Sequence, residues 1–130
     1  MSVQLNEHGL ALLSTTVVSF AAAATTALYT VPTGYKCILF AAAVEPGADP
    51  VDVTVTIGSS GTTATSFLGT QTVHTNVDTA SEAGWLMPIP HGTTVAFQVY
   101  SAGDVIQMTT TNSGGGASNN VYLFGFLVAA

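Results

Sequence analysis

The segment from Val51 to Ile57 alternates without interruption between aliphatic and polar residues. Val51, Val53, Val55 and Ile57 are separated by Asp52, Thr54 and Thr56. Successive side chains of a β-strand point to opposite faces, so a period of two gives one aliphatic face toward a core and one polar face toward water. This segment is the clearest strand in the chain, and it points to an architecture built from sheets.

Other β-rich runs follow at intervals of about 8 to 12 residues, with turn formers between them. They cover 27–31, 35–44, 64–73, 85–89, 94–99, 105–111 and 121–128. Pro32-Thr33-Gly34 predicts a hairpin between the first two runs. Gly69 interrupts 64–73, where a bulge is one interpretation, and Pro88 places 85–89 at a sheet edge or strand end.

About eight strands with this spacing predict a β-sandwich, a jelly roll or a closed barrel. We favour an all-β fold, a jelly-roll-like antiparallel β-sandwich with an extended N-terminal arm. Residues 1–25 would form the arm, unpaired as far as residue 14, and the first strand, and residues 26–130 the sandwich domain. The alanine run 21–24 is not expected to form a long helix, because β-branched and hydroxyl residues flank it.

The last run, 121–128, is apolar on both faces. This pattern predicts a central strand, covered on one side by the second sheet and on the other by the N-terminal arm or another subunit.

Charged residues are scarce: they make up 6% of the chain, against about a quarter in an ordinary soluble domain. The net charge is −6, and Lys36 is the single Lys or Arg. Neutralising phosphates takes several basic side chains, so we expect neither a nucleic-acid partner nor an anionic membrane. With 48% hydrophobic residues, the surface must be made largely of Thr, Ser, Gly, Asn, Gln and Ala, which favours packing against copies of the chain or a lattice.

Targeting signals are not evident. Residues 1–8 lack the basic region of a secretory signal, so synthesis in the cytoplasm is expected. The stretch 10–27 is too polar for a membrane span. Cys37, the only cysteine, lies in an apolar run and is predicted to be buried and inert.

Catalytic patterns are weak. His8, His74 and His91 lack metal-ligand spacing. His74 with Asp78 could orient a base for Ser81, but no nucleophile-elbow sequence surrounds a serine. We therefore predict no catalytic residue, and a hydrolase dependent on His74 or His91 is kept as an alternative.

One acidic cluster has the chemistry to bind a hard cation. Glu45, Asp49 and Asp52 lie in a loop rich in Gly and Pro, as a calcium site requires. Their spacing is not that of an EF-hand, and turn formation explains the acidic residues without a metal. Neither a metal nor a cofactor is predicted.

The run 26–36, TALYTVPTGYK, resembles a hairpin motif of small head and tail proteins of tailed bacteriophages, LYTVPxG followed by a basic residue. The similarity covers residues 26–44. The short length and the Ala/Thr/Gly-rich composition also resemble those of phage capsid decoration, or cement, proteins. The resemblance implies a virion structural protein on the capsid surface, often a trimer, with the major capsid protein and its own copies as partners.

The resulting hypothesis is a decoration protein that stabilises a phage head by bridging neighbouring shell subunits. The segment from Leu10 to Phe20 is the candidate intersubunit element. The predicted interface residues are Leu10, Leu12, Val18, Phe20, Trp85, Tyr122, Phe124 and Phe126. The main alternative is a tail or fibre module that binds a host-surface glycan in an aromatic groove around Trp85 or Tyr122.

Overall fold

The computed structural model describes residues 9–50, 53–60, 66–75, 77–86, 98–110 and 115–130. These residues form nine strands and one turn of 3-10 helix (Val73–Thr75), and none of their helices is long and apolar enough to span a membrane. The strands are β1 (Ala11–Val18), β2 (Ala24–Thr30), β3 (Tyr35–Pro46), β4 (Thr54–Ser59), β5 (Leu68–Thr72), β6 (Gly84–Leu86), β7 (Gln98–Tyr100), β8 (Val105–Thr110) and β9 (Asn119–Ala129).

The strands form two antiparallel sheets. The first has the order β1-β9-β3-β6, with β7 also paired to β3, and the second has the order β2-β8-β4-β5. β6 and β7 pair with different parts of β3, 42–44 and 37–39, so they share one edge of the first sheet. The all-β sandwich predicted from the sequence is confirmed, as is the central position of β9. Of the run 85–89 that was predicted to lie at an edge, residues 85–86 do so within β6, while residues 87–89 lie outside the described residues.

The hairpin prediction for Pro32–Gly34 is wrong. The turn itself forms, since the Tyr35 N–H donates to the Pro32 carbonyl over 3.2 Å and Gly34 has a φ of 85°, in the region that favours glycine. However, β2 pairs with β8 and β3 pairs with β9, so the turn passes from one sheet to the other. Local turn chemistry reverses the chain, whereas the partner of each strand is set by residues far away in sequence.

β1 begins at Ala11, within the segment expected to be an unpaired arm. It pairs with β9 along the edge of the first sheet. The strand therefore lies beside β9 and does not cover its outer face, as the arm was expected to do. Residues 1–8 lie outside the described residues, and the division of the chain at residue 25 stays a prediction.

Residues 21–24 do not form a helix, as expected. The chain bends at residues 21–22 and enters β2 at Ala24. The buried hydroxyl of Thr110 accepts the Ala24 N–H over 2.8 Å and lies 3.1 and 3.0 Å from the carbonyl oxygens of Ala22 and Ala24. These contacts give the backbone of the alanine run partners that a helix would otherwise provide.

The core lies between the two sheets. The described aliphatic residues of the alternating segment 51–57 point into it, as predicted. Val53, Val55 and Ile57 are each 0% exposed, while residues 51–52 lie outside the described residues. Thr56 differs from the expectation, since it is 5% exposed instead of facing water. Thr56 belongs to β4, which lies between β8 and β5 in the second sheet.

The second sheet contains the bulge considered at Gly69. Val55 pairs with Gln71 and Ile57 pairs with Leu68, so Gly69 and Thr70 together lie opposite one residue of β4.

Cys37 also belongs to the core, as predicted. It is 0% exposed, and burial raises the pKa of its thiol to about 12. The thiolate is therefore strongly disfavoured at neutral pH.

Asn119 is a buried polar residue at the start of β9. Its amide nitrogen donates to the carbonyl oxygens of Val18 (2.8 Å) and Gly116 (2.9 Å), and its amide oxygen accepts the Gly47 N–H (3.2 Å). One side chain thus joins the end of β1, the loop before β9 and the loop after β3.

Candidate protein-binding surface

The outward residues of the first sheet form a surface that we call the apolar face. Along β9, residues 121, 123, 125 and 127 are buried, while 122, 124, 126 and 128 are half-buried and point away from the core. Directly opposed residues of antiparallel strands share a face, so the register identifies the outward residues of the other strands. Its hydrophobic members are Leu10, Leu12, Val17, Ile38, Phe40, Ala41, Ala43, Trp85, Val99, Tyr122, Phe124, Phe126 and Val128. The polar residues Thr15, Lys36, Glu45 and Asn120 point outward on the same face.

The large hydrophobic side chains that the described residues expose all lie on this face. They are Leu10 (50% exposed), Leu12 (51%), Val17 (61%), Trp85 (56%) and Val99 (55%). Scattered exposed hydrophobic residues are ordinary, but their collection on one face of one sheet is typical of a surface that binds another macromolecule.

Aromatic pairs form the centre of the apolar face. Trp85 and Phe124 have ring centroids 5.4 Å apart at an interplanar angle of 56°, although β3 lies between their strands. The outward residues of β3 at this point, Ala41 and Ala43, are small enough to let the two rings meet above them, and they are 0% and 7% exposed.

A bulge in β3 adds a second aromatic pair. Leu39 pairs with Gly125 and Ala41 pairs with Phe124, so Phe40 is an extra residue on β3. The Phe40 ring meets Phe126 edge to face, with centroids 6.4 Å apart and an interplanar angle of 87°. This arrangement is one that aromatic rings prefer.

Polar groups mark the two ends of the apolar face along β3. At one end, Oε1 of Glu45 accepts hydrogen bonds from Asn120 Nδ2 and the Tyr122 hydroxyl, both over 3.0 Å. These bonds lower the pKa of the Glu45 carboxyl, that from Asn120 most, and the bond to Glu45 raises the pKa of Tyr122. At the other end lies the exposed Lys36.

The outer face of the second sheet has a different chemistry. One cross-strand row contains Thr25, Thr109 and Thr56, and the hydroxyls of Thr25 and Thr109 lie 3.2 Å apart. A neighbouring row contains Ala27, Gln107 and Gly58. The two outer faces of the sandwich are thus apolar on one side and rich in hydroxyl and amide groups on the other.

This fold occurs in a solved virus structure. The similar structure is described as the acidic stable capsid structure of Helicobacter pylori bacteriophage KHP30, and the match covers 94% of this chain and 97% of that chain. The TM-score is 0.54 and the sequence identity is 15%. The chain shares its fold with a chain of a phage capsid. No protein-family model and no curated protein matches the sequence.

Six of the eight predicted interface residues lie together on the apolar face. They are Leu10, Leu12, Trp85, Tyr122, Phe124 and Phe126. Val18 and Phe20 are instead 1% and 0% exposed and belong to the core. Their side chains are not available to a partner.

A bulge in β1 explains why Leu12 points outward while Val18 points into the core. Leu12 pairs with Phe124 and Ser14 pairs with Leu123, so Leu13 is an extra residue and the alternation of faces changes phase after it. Residues before the bulge point outward at even positions, whereas after it Val17 points outward and Val18 inward.

Sequence reasoning missed seven hydrophobic members of the face. They are Val17, Ile38, Phe40, Ala41, Ala43, Val99 and Val128. Ile38 and Val99 are opposite each other, and their alternation with Cys37 and Tyr100 was the available signal. Nothing in the sequence marked the two bulges that set the orientations of Val17 and Phe40.

The residues considered for hydrolysis do not assemble into a triad in the described residues. Nδ1 of His74 donates to the Pro50 carbonyl over 2.9 Å, and the Asp78 carboxylate accepts from the Thr79 hydroxyl over 3.2 Å. Ser81 has a φ of 67° in a turn, where its N–H donates to the Pro46 carbonyl. His8 and His91 lie outside the described residues.

The acidic loop is engaged in hydrogen bonds within the chain. Besides Glu45, Asp49 accepts the Ala80 N–H over 2.6 Å, while Asp52 lies outside the described residues. Among the residues that the structure describes, no three His, Cys, Asp or Glu side chains are grouped to hold a metal ion.

Proposed function

We propose that this chain is a non-enzymatic virion structural protein of a phage, and that it binds the outside of the head as a capsid decoration protein. The observation that carries the proposal is the likeness to a chain of a phage capsid structure, which extends over 94% of this chain and 97% of the other.

The apolar face supports a role based on protein contacts. A charge-poor surface loses little free energy by desolvation when it is buried, and aromatic residues contribute strongly to interfaces. Many copies, each with modest contacts, would hold neighbouring shell subunits together through multivalency. The partners would be the major capsid protein and copies of the chain, in the trimers that the sequence resemblance implies, on the surface of a head assembled in the host cytoplasm.

The pairing of the strands supports a jelly roll. In both sheets the first strands of the chain lie next to the last ones, β1 beside β9 and β2 beside β8. This order is expected when a long hairpin of the chain folds over itself.

In place of the Leu10–Phe20 segment, whose Val18 and Phe20 are buried, we propose the N-terminal segment, residues 1–10, for the shell contact. Leu10 is half-exposed where this segment meets β1, and Leu12 follows it on the same face. A segment that precedes an edge strand can reach a neighbouring subunit without disturbing the core.

Cosedimentation with purified heads that lack the protein tests this assignment. Deletion of residues 1–20 would remove Val18 and Phe20 from the core, so the informative variant lacks residues 1–8 and keeps β1. The intact chain should cosediment with heads, and the shortened chain should not. Failure of the intact chain to bind would refute the decoration role, and full binding by the shortened chain would refute the role of the arm. Glu82→Gln, in an exposed loop, is a control that should bind like the intact chain.

A glycan-binding tail or fibre module is the second candidate, and the exposure of Trp85 favours it. An exposed indole beside Phe124 resembles the aromatic platforms on which sugars stack. Trp85 is the only tryptophan, so its fluorescence reports directly on this surface. A shift in emission on titration with host-surface glycans would support the module, and an unchanged spectrum across a glycan panel would exclude it.

A further inference from the structure

Charge is distributed over the strands in an unusual way. Among the residues of the nine described strands, Lys36 and Glu45 are the only charged ones. Both lie on β3, and both point outward on the apolar face, opposite Val128 and Asn120 of β9. The apolar face therefore carries one positive and one negative group, at opposite ends of one strand.

These two groups cannot pair within one chain. They are nine residues apart on an extended strand, which separates them by about 30 Å. Their midpoint falls at Phe40 and Ala41, in the aromatic centre of the face. The order along β3 is thus a positive group, an apolar centre and a negative group.

We propose that the apolar face binds the same face of a second copy of this chain across a two-fold axis. The axis would lie in the plane of the interface, perpendicular to β3, and pass near Phe40. Rotation about it places Lys36 of each copy near Glu45 of the other, as the reciprocal contacts of a two-fold interface require. Two sheets that pack face to face with nearly aligned strands are a common arrangement in β proteins.

The charge pattern favours a second copy over other occupants. A face with one base and one acid placed symmetrically about an apolar centre is complementary to itself. Glu45 is also held in position, because Asn120 and Tyr122 both donate to its Oε1. An anion that is already ordered loses less conformational entropy when a lysine approaches.

The two-fold pairing of chains adds a specific contact to the proposed function. It rests on the proposed function in one respect, namely that the protein self-associates. A two-fold contact is separate from the three-fold contact of a trimer. It doubles the mass of a single chain, and it doubles that of a trimer when the three apolar faces of one trimer meet those of a second.

Charge exchange tests the pairing. Lys36→Glu and Glu45→Lys each turn two attractive contacts per interface into repulsive ones, whereas the double variant restores attraction and the net charge of the wild type. Light scattering and sedimentation over a range of concentrations should show wild-type and double-variant masses twice those of the single variants. The single variants should dissociate at least about tenfold more readily. Circular dichroism and melting verify that each variant is folded.

Two further variants make the outcome decisive. Glu82→Lys has the same charge change as Glu45→Lys but lies in an exposed loop, so its mass should equal that of the wild type. Trp85→Thr removes an exposed ring from the apolar face and should halve the mass without a change of charge. Equal masses for the wild type, Lys36→Glu and Trp85→Thr would overturn the pairing. A folded double variant as dissociated as the single ones would overturn the two-fold arrangement.

Binding to heads is measured separately, so the two proposals can fail independently. A protein that cosediments with heads but shows no doubling of mass would refute the pairing alone. One that doubles but does not bind heads would refute the decoration role alone.

Discussion

The ring centroids of Trp85 and Phe124 lie 5.4 Å apart even though the strand β3 separates β6 from β9. The contact depends on Ala41 and Ala43, which point outward beneath the two rings and have no bulk beyond Cβ. The aromatic centre of the apolar face is therefore built on two alanines of its central region.

Ala41→Leu should destabilise the protein by about 1–3 kcal/mol, because the added atoms force the two rings apart. Unfolding in urea, followed by circular dichroism and by the fluorescence of Trp85, measures the loss. Ala27→Leu is the matched control, since Ala27 is exposed on the outer face of the second sheet, and its effect should stay within about 0.5 kcal/mol. Equal effects of both variants would contradict this account of the alanines.

Asn119→Ala should cost about 2–4 kcal/mol in the free energy of unfolding. The change removes three hydrogen bonds and leaves the buried Val18 carbonyl and the Gly47 N–H without this partner. Asn120→Ala is the comparison, because Asn120 bonds the accessible Glu45 side chain and its loss should cost less than about 1 kcal/mol. Chemical unfolding measures both losses of stability. Similar losses for Asn119→Ala and Asn120→Ala would contradict the structural role given to the buried Asn119 amide.

Cys37 should be unreactive toward a thiol reagent in the folded protein at pH 8. Its side chain is 0% exposed and burial raises its pKa to about 12, so both access and the thiolate are lacking. Absorbance of the released chromophore should show one reactive thiol per chain in urea and almost none in buffer, with Cys37→Ser as the blank. Rapid labelling of the native protein would mean that the first sheet opens readily.

The Glu45 cluster should make stability depend on pH in the acid range. Hydrogen bonds from Asn120 and Tyr122 lower the pKa of Glu45 from its ordinary value of 4.5, so the folded state prefers the ionised carboxylate. The resulting stabilisation is present above the ordinary pKa and is lost as the pH falls through the lowered pKa of the folded state.

Comparison with Glu45→Gln isolates this contribution. Glutamine keeps an oxygen acceptor but does not ionise in this range, so the stability difference between the wild type and Glu45→Gln should shrink as the pH falls below 4.5. Melting temperatures between pH 7 and strong acid measure the difference, and Glu82→Gln serves as the control. A difference that stays constant over this range would contradict the role assigned to the two donors.

The strands were predictable where hydrophobic alternation is local and uninterrupted. Val53, Val55 and Ile57 point inward as their spacing indicates, and β9 is central as its two apolar faces suggest. The pairing of strands was less accessible, because β2 and β8 meet across a long stretch of chain. The Pro32–Gly34 turn is compatible with either a hairpin or a passage between sheets, and only the distant partners decide between them.

Along the N-terminal segment, the candidate surface was predictable only as far as the bulge in β1. Leu10 and Leu12 point outward, but the extra residue Leu13 reverses the alternation, which places Val18 in the core. A bulge shifts one hydrogen-bonded position, and the sequence ALLSTTVV carries no glycine or proline that marks it. The same limitation concealed the outward position of Phe40 in β3.

Because its two outer faces differ, the sandwich has one apolar side and one polar side. A particle with threonine hydroxyls on one side and exposed rings and leucines on the other adsorbs to an apolar support in one orientation, because only one side gains by leaving water. A monolayer formed in this way would present a uniform hydroxyl coat to the solvent. Its wettability would then depend on polar groups such as Thr25, Thr109 and Gln107.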